Sequence, residues 1–179
     1  MSSSSVIPYE PTAAEKSSAL GHLFYELQQM WGAAHLSSKD FIQNALVESY
    51  LVHVRVLLEF FEHEVRTSRR DGSVRSENDD VLSKDFGFPA RAINLARIYR
   101  ERLNKDLVHL AYSRTNRLSK HWVICEVVAP VAARGARFIE TVGPKQLSSL
   151  VGPSSGDWTA LRDNLLALAR GCGVNDEDT

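Results

Sequence analysis

The sequence predicts an all-α protein, an antiparallel bundle of four long helices with a smaller C-terminal helix. Its apolar residues recur with the spacing of a helix that buries one face, and no stretch alternates apolar and polar residues long enough for a sheet. The 179 residues are 44% hydrophobic and 24% charged, which fits one soluble domain with a single core. We predict a disordered lead over residues 1–11, one helical domain over 12–172 and a frayed acidic tail over 173–179.

The first helix is predicted to begin after Thr12, because Thr12 and Glu15 have the spacing of a capping box. It should continue to about Ala34 and bury one face. The residues expected on this face are Leu20, Leu23, Phe24, Leu27 and Trp31. Ser37 or Ser38 is expected to cap the helix that follows.

The most strongly helical segment is "KDFIQNALVESYLVHVRVLLEFFEHEV", residues 39–65. Its apolar residues occupy more than one face, so we expect neighbours on two sides. These residues are Leu46, Val52, Val56 and Phe60, and also Leu51, Val54, Leu58 and Phe61. Glu48, His53 and Arg55 interrupt the pattern. They form either a polar network that fixes helix register, the simpler interpretation, or a contact with a later helix that pairs Glu48 with Arg102.

The middle of the chain begins with a polar stretch, residues 67–78, which has no periodic apolar face and is predicted to be a mobile connection. Residues 79–88, "DDVLSKDFGF", favour one helical turn followed by a Gly-Phe-Pro break. After Pro89 we expect a long helix over about 90–113.

Two further helices are predicted towards the C-terminus. The first, "KHWVICEVVAPVAARGARFIETV", should be kinked at Pro130, which cannot donate a backbone hydrogen bond. Its many small and branched residues favour a dimer face, although burial within one chain explains them equally. The second, residues 158–170, is expected to be capped by Asp157 and ended by the glycines that follow it.

The cysteines and the apolar runs indicate in which cellular environment the protein is expected. Cys125 and Cys172 have no metal-binding spacing, and the N-terminal residues lack the pattern of a secretory signal peptide, so we expect free thiols in a reducing cytoplasm. The longest apolar run contains Glu126, Pro130 and Arg134, which exclude a membrane span. The sequence has no zinc-binding histidine spacing, phosphate-cradling glycine loop or serine-nucleophile motif, so neither a metal nor a cofactor is predicted.

Positive charge is concentrated in the middle of the chain. Residues 91–137 hold ten Lys and Arg against three Asp and Glu, whereas the rest holds eleven against nineteen, for a net charge of −1. This asymmetry is compatible with an anionic ligand near the middle segment. A solvated arginine-rich helix explains the same charges more simply.

Residues 100–114, "RERLNKDLVHLAYSR", contain the most suggestive arrangement of side chains. Three leucines should form a buried stripe, namely Leu103, Leu107 and Leu110. Arg102, Asp106 and His109 fall within about 60° of one another around the helix, so their side chains can touch. An arginine suits a phosphate and a neutral histidine can move a proton, which together would allow metal-free RNA cleavage. A plain surface ion pair between Arg102 and Asp106 is the alternative.

The pattern Arg102-x6-His109 in an all-helical domain resembles the HEPN superfamily (higher eukaryotes and prokaryotes nucleotide-binding), whose signature is an arginine followed by a histidine four to six residues later. Three further strings look like a bacterial branch of it. They are "ALVESYLVHVRVLLEFF", "DDVLSKDFG" and the motif helix with "KHW" after it. The similarity covers about residues 41–123.

The resemblance implies a helical bundle that dimerises and brings two motif helices to one cleft. In active members the pair serves a metal-independent endoribonuclease, commonly a toxin or antiviral factor. Arg102 would then contact phosphate and His109 would act as the acid or base. Leu103 stands where active members have a polar residue, so either Asn104 takes that role or the site is inactive.

Supporting residues are predicted partly from helix spacing, for Asp106, Glu48 and Arg55, and partly from the resemblance, for Asn104. Asn104, Asp106, Glu48 and Arg55 would support the pair. The residues expected to bind the RNA backbone are Arg97, Lys105 and Arg114. We expect a homodimer, with RNA or a protein such as an antitoxin as partner. The alternative function is a non-catalytic interaction module or nucleotide-binding subunit whose arginine-rich face docks an acidic protein or a nucleotide.

Overall fold

The computed structural model describes residues 11–36, 41–65, 80–105, 122–148 and 152–174, with all side chains in these ranges except those of residues 36, 41–45 and 105. The described part is all-helical, as predicted, and contains no strand. Its helices are α1 Ala13–Leu36, α2 Phe41–Glu62, α3 Arg97–Lys105, α4 Ile124–Val127, α5 Ala129–Val142, α6 Pro144–Leu147 and α7 Ser155–Gly171, with a 3₁₀ helix at Ser83–Phe86. None of these helices combines the length and the apolar character needed to span a bilayer.

Two capping boxes define the first and last helices. The Thr12 backbone N–H donates to Glu15 Oε2 (2.8 Å) and the Glu15 N–H donates to Thr12 Oγ1 (3.2 Å), which confirms the predicted start of α1. At α7 the cap is Ser154, so the prediction of Asp157 as cap is wrong. Asp157 lies inside the first turn and closes the box: its N–H donates to Ser154 Oγ, and its carboxylate accepts from the Ser154 N–H at 2.8 Å. The Ser154 hydroxyl also donates to this carboxylate at 2.8 Å, and the hydrogen bonds from the hydroxyl and the N–H of Ser154 lower the pKa of Asp157.

The segment before α3 corrects a second prediction. The predicted turn and break are confirmed, since the 3₁₀ helix ends at Gly87 with φ of +76°. The helix expected from residue 90 instead begins at Arg97, after a non-helical stretch in which Ile93 and Leu95 are buried. Side chains occupy both backbone groups of Ile93: its N–H donates to Glu62 Oε1 (2.6 Å) and its carbonyl accepts from Arg100 Nη2 (2.5 Å). The Ile93 carbonyl also accepts from the Leu95 N–H at 2.8 Å, an i→i+2 hydrogen bond that is typical of a tight turn and not of an α-helix.

The core lies between α1, α2, α5 and α7. Edge-to-face aromatic contacts join α2 to α5, with Phe138 of α5 against Phe60 and Phe61 at ring-centroid distances of 5.5 and 6.0 Å. On α2, however, Val52 and Val56 are 47% and 43% exposed, so the expectation of two buried faces is wrong at these residues. The leucines of α2 and its other apolar residues already fill the single face that α1 and α5 cover.

The helix α5 is buried on nearly all sides within this chain. A Cβ atom on Gly135 would lie 2.8 Å from Leu27 Cδ2 and 3.4 Å from Leu165 Cδ1, so glycine allows α1, α5 and α7 to approach closely. The segment predicted as one helix kinked at Pro130 is two helices: α4 ends at Val127 and α5 begins at Ala129, with the proline in its first turn. Burial in the monomer therefore accounts for the small and branched residues of this segment.

The two cysteines are joined, so the prediction of free thiols is wrong. Cys125 in α4 and Cys172 just after α7 form a disulfide with their Cα atoms 5.1 Å apart, although they are 47 residues apart in sequence. The long interaction between α5 and α7 places α4 beside the C-terminal end of α7. Disulfides persist in oxidising environments, so the cysteines no longer support a reducing compartment, and the cytoplasmic location remains a prediction.

We expect removal of this disulfide to lower the free energy of unfolding by about 2–4 kcal/mol, because the cross-link restricts the unfolded chain. The Cys172→Ser variant and the wild type with dithiothreitol should unfold at the same lower urea concentration. Dithiothreitol should leave the variant unchanged, which controls for other effects of the reductant. Two titratable thiols in the untreated native protein, with stability indifferent to dithiothreitol, would contradict the pairing.

Candidate functional site

The described part of the motif helix presents two different faces. Arg100 and Arg102 are two residues apart on α3, which places them about 200° apart around the helix axis. Leu103 is buried in the core, as predicted. The aromatic face, with Tyr99 and Arg102, packs against the start of α4. The cleft face, with Arg100 and Asn104, is turned towards the end of α2.

On the aromatic face, Arg102 is 7% exposed. Its guanidinium carbon lies 3.8 Å from the centre of the Trp122 ring and 6.0 Å from that of Tyr99. A guanidinium over an indole face is a favourable cation–π contact, and it strengthens when water is excluded. Arg102 therefore packs among aromatic rings rather than facing solvent.

Two tyrosines near Arg102 have raised pKa values. Tyr50 of α2 is fully buried, and burial raises its pKa to about 12, although the nearby charge of Arg102 opposes the shift. Burial also raises the pKa of Tyr99, as does the hydrogen bond between its hydroxyl and Glu126 of α4. Arg102 thus lies near Tyr50 of α2 and near Tyr99, whose hydroxyl is joined to Glu126 of α4.

On the cleft face, Arg100 joins α3 to the end of α2 through an ion pair. Its Nη1 and Nη2 donate to the two carboxylate oxygens of Glu62 at 2.8 and 2.7 Å, an ideal geometry for a guanidinium and a carboxylate. Arg100 also donates to the carbonyls of Ile93 and Leu95. The hydrogen bonds to Glu62 raise the pKa of Arg100. This arginine therefore has a structural role.

A polar cleft of about 250 Å³ lies between α2 and α3. Its lining residues are Arg55, Leu58, Glu59, Glu62, His63, Arg100, Leu103 and Asn104. Arg55 Nε is 3.7 Å from Glu59 Oε1. The Nδ1 atom of His63 is buried and has no hydrogen-bond partner in the described part of the chain. The structure therefore brings together two predicted site residues, Arg55 and Asn104, but places Arg102 on the other face.

The remaining predicted residues are scattered or outside the description. Glu48 is exposed on α2, and its pairing with Arg102 stays a prediction. Arg97 has a side chain that is 92% exposed and pairs with Glu101 at 2.8 Å. His53, the third polar residue of the second helix, is directed to α1, where its Nδ1 donates to Glu26. The predicted residues outside the described side chains are Lys105, Asp106, His109 and Arg114.

Three residues of this region were missed from the sequence: Glu62, His63 and Trp122. Glu62 and Arg100 are 38 residues apart, so no local spacing could pair them. His63 stood out only as one of several scattered histidines. Trp122 belongs to the string "KHW" already compared with HEPN proteins, and an aromatic residue next to a motif was the one available signal.

Within the described ranges, no three His, Cys, Asp or Glu side chains are grouped so as to hold a metal ion. No protein-family model, curated protein or solved structure matches the chain. The HEPN relationship therefore stays a prediction.

We expect Arg102→Gln to lower the free energy of unfolding by about 2–3 kcal/mol, because it removes a desolvated cation–π contact and leaves a gap beside Trp122. The matched control is Arg97→Gln on the same helix, whose exposed side chain should contribute less than about 0.5 kcal/mol. Urea unfolding measures both. Equal stabilities of the two variants would mean that Arg102 is not packed as described.

Proposed function

We propose that this chain is a helical module that binds RNA through exposed arginines without cleaving it, and that Arg102 serves the fold. The observation that carries the proposal is the burial of the Arg102 guanidinium on Trp122. An arginine that contacts a phosphodiester must present its N–H groups to the ligand. Arg102 does not do so in the described arrangement.

Other arginines of the basic segment are accessible. Arg91, Arg97 and Arg137 are all exposed. Burial lowers the pKa of Arg134, and the positive charges of Arg137 and Arg91 lower it further, which places Arg91 and Arg137 near Arg134. Arg97 is a separate exposed arginine of the same basic segment. Like charges gathered on one surface attract a polyanion, and phosphate contacts supply most of sequence-independent binding to nucleic acids.

We also propose an arrangement for the helices. The close packing of α1 along α2 and of α5 along α7 supports an antiparallel bundle of four long helices with a smaller C-terminal helix. A homodimer is part of the proposal, as the HEPN resemblance implies.

The competing function is metal-independent cleavage of RNA by Arg102 and His109. To separate the two, a labelled single-stranded RNA is incubated with purified protein in EDTA, and both binding and integrity of the RNA are followed. We expect intact RNA, and binding that weakens as salt is added. A triple Arg91→Gln, Arg97→Gln, Arg137→Gln variant should bind roughly tenfold more weakly or worse, because three phosphate contacts are lost.

The matched control is Arg162→Gln on α7, which should bind RNA like the wild type because Arg162 lies outside the basic segment and is less exposed than Arg97. RNA that is cut by the wild type and spared by His109→Ala would overturn the proposal in favour of a ribonuclease. Unchanged RNA binding by the triple variant would show that these three arginines do not bind the RNA. Polyglutamate binding tighter than RNA would point to an acidic protein as partner.

A further inference from the structure

The cleft between α2 and α3 has the features of a ligand site that is separate from the exposed arginines. We propose that it binds the oxyanion group of a small ligand, a phosphate or the phosphate of a nucleotide, between Arg55, His63 and Asn104. This inference does not rest on RNA binding, because Arg91, Arg97 and Arg137 do not line the cleft.

One wall of the cleft is rigid and electrically balanced. The Glu62 carboxylate accepts two hydrogen bonds from Arg100 and one from the Ile93 N–H. Because these contacts neutralise the carboxylate and hold α3 in place, Glu62 neither repels an anion strongly nor moves to admit one. The wall therefore fixes the spacing between the α2 and α3 side chains that face the ligand.

Arg55 is the cation available for an anion. Its Nε is 3.7 Å from Glu59 Oε1, beyond hydrogen-bond distance, and the side chains are 37% and 56% exposed. Such a loose, partly solvated pair contributes little, so exchanging it for a better-placed oxyanion costs little. The guanidinium can then offer two parallel N–H groups to a phosphate.

His63 supplies the second observation. Its Nδ1 atom is buried in the cleft wall and has no hydrogen-bond partner among the described residues. Buried polar atoms are nearly always partnered, and one that is not calls for a ligand, water or ion. Because Nδ1 is closed to solvent, the His63 ring must rotate to turn an N–H towards the cleft, where an oxyanion can accept a hydrogen bond from it. Exposed Asn104, across the cleft on α3, offers an amide N–H₂ to the same group.

The size and charge of the cleft define the class of ligand. Its 250 Å³ equals the volume of roughly eight water molecules, which suits a phosphate group with a few bridging waters. The groups that face the site are Arg55, Arg100 and His63 against Glu59 and Glu62, so no large excess of positive charge draws the anion in. We therefore expect a dissociation constant on the order of 0.1–1 mM for inorganic phosphate, set by direct hydrogen bonds.

The test titrates the full-length protein with inorganic phosphate, adenosine monophosphate and adenosine at constant ionic strength, by calorimetry and thermal unfolding. Both phosphates should bind and raise the unfolding temperature relative to chloride, and adenosine should not. Tighter binding of the monophosphate than of inorganic phosphate identifies a nucleotide as the source of the group. Equal affinities for inorganic phosphate and adenosine monophosphate would show that the cleft recognises the phosphate group alone.

Arg55→Gln and His63→Leu should each weaken phosphate binding at least tenfold, whereas Arg162→Gln, at a half-buried arginine of α7 outside the cleft, should bind like the wild type. If His63→Leu is unstable, the ¹⁵N resonance of His63 Nδ1 in the wild type gives a second readout, and it should shift on addition of phosphate. No binding by the wild type, equal binding by Arg55→Gln, an unmoved His63 resonance, or binding of adenosine as tight as that of its monophosphate would overturn the proposal.

Discussion

The arrangement of the candidate site depends on the bidentate ion pair between Arg100 and Glu62. This pair joins α3 to the end of α2. Both residues also form hydrogen bonds with the backbone of Ile93, in the non-helical segment before α3. Once Arg100 faces α2, the geometry of a helix turns Arg102 to the opposite side, where Trp122 covers it. One interaction therefore decides which arginine is buried in the aromatic pocket and which side chains line the cleft.

Local patterns in the sequence were sufficient for much of the fold. The capping box at Thr12 predicted the start of α1. The helical spacing of leucines predicted which face of α1 is buried, and also that Leu103 is buried. Predictions failed where distant parts of the chain compete for the same groups. The predicted start of α3 was wrong because Glu62, Arg100 and a tight turn to Leu95 hold Ile93 outside a helix. The disulfide was missed because only the packed fold brings Cys125 to Cys172.

For the site, the sequence predicted where side chains lie around α3 but not what covers them. Arginine on one stripe of a helix is equally suited to holding a phosphate and to stacking on an aromatic ring. The difference here comes from Trp122, which is 20 residues further along the chain than Arg102. His63 could not be distinguished from other histidines, because the burial of its Nδ1 atom is a property of the folded chain that no local pattern reveals.

The central claim is that the Arg102 guanidinium is sealed under Trp122 and belongs to the fold. The most direct test is the proton resonance of the Arg102 Nε–H group in the NMR spectrum of the wild-type protein, assigned with the Arg102→Lys variant. A buried group should exchange slowly with water, lie upfield because of the Trp122 ring current, and keep its position when RNA is added. Exchange as fast as that of the exposed Arg97, together with a shift on adding RNA, would show instead that Arg102 faces the ligand.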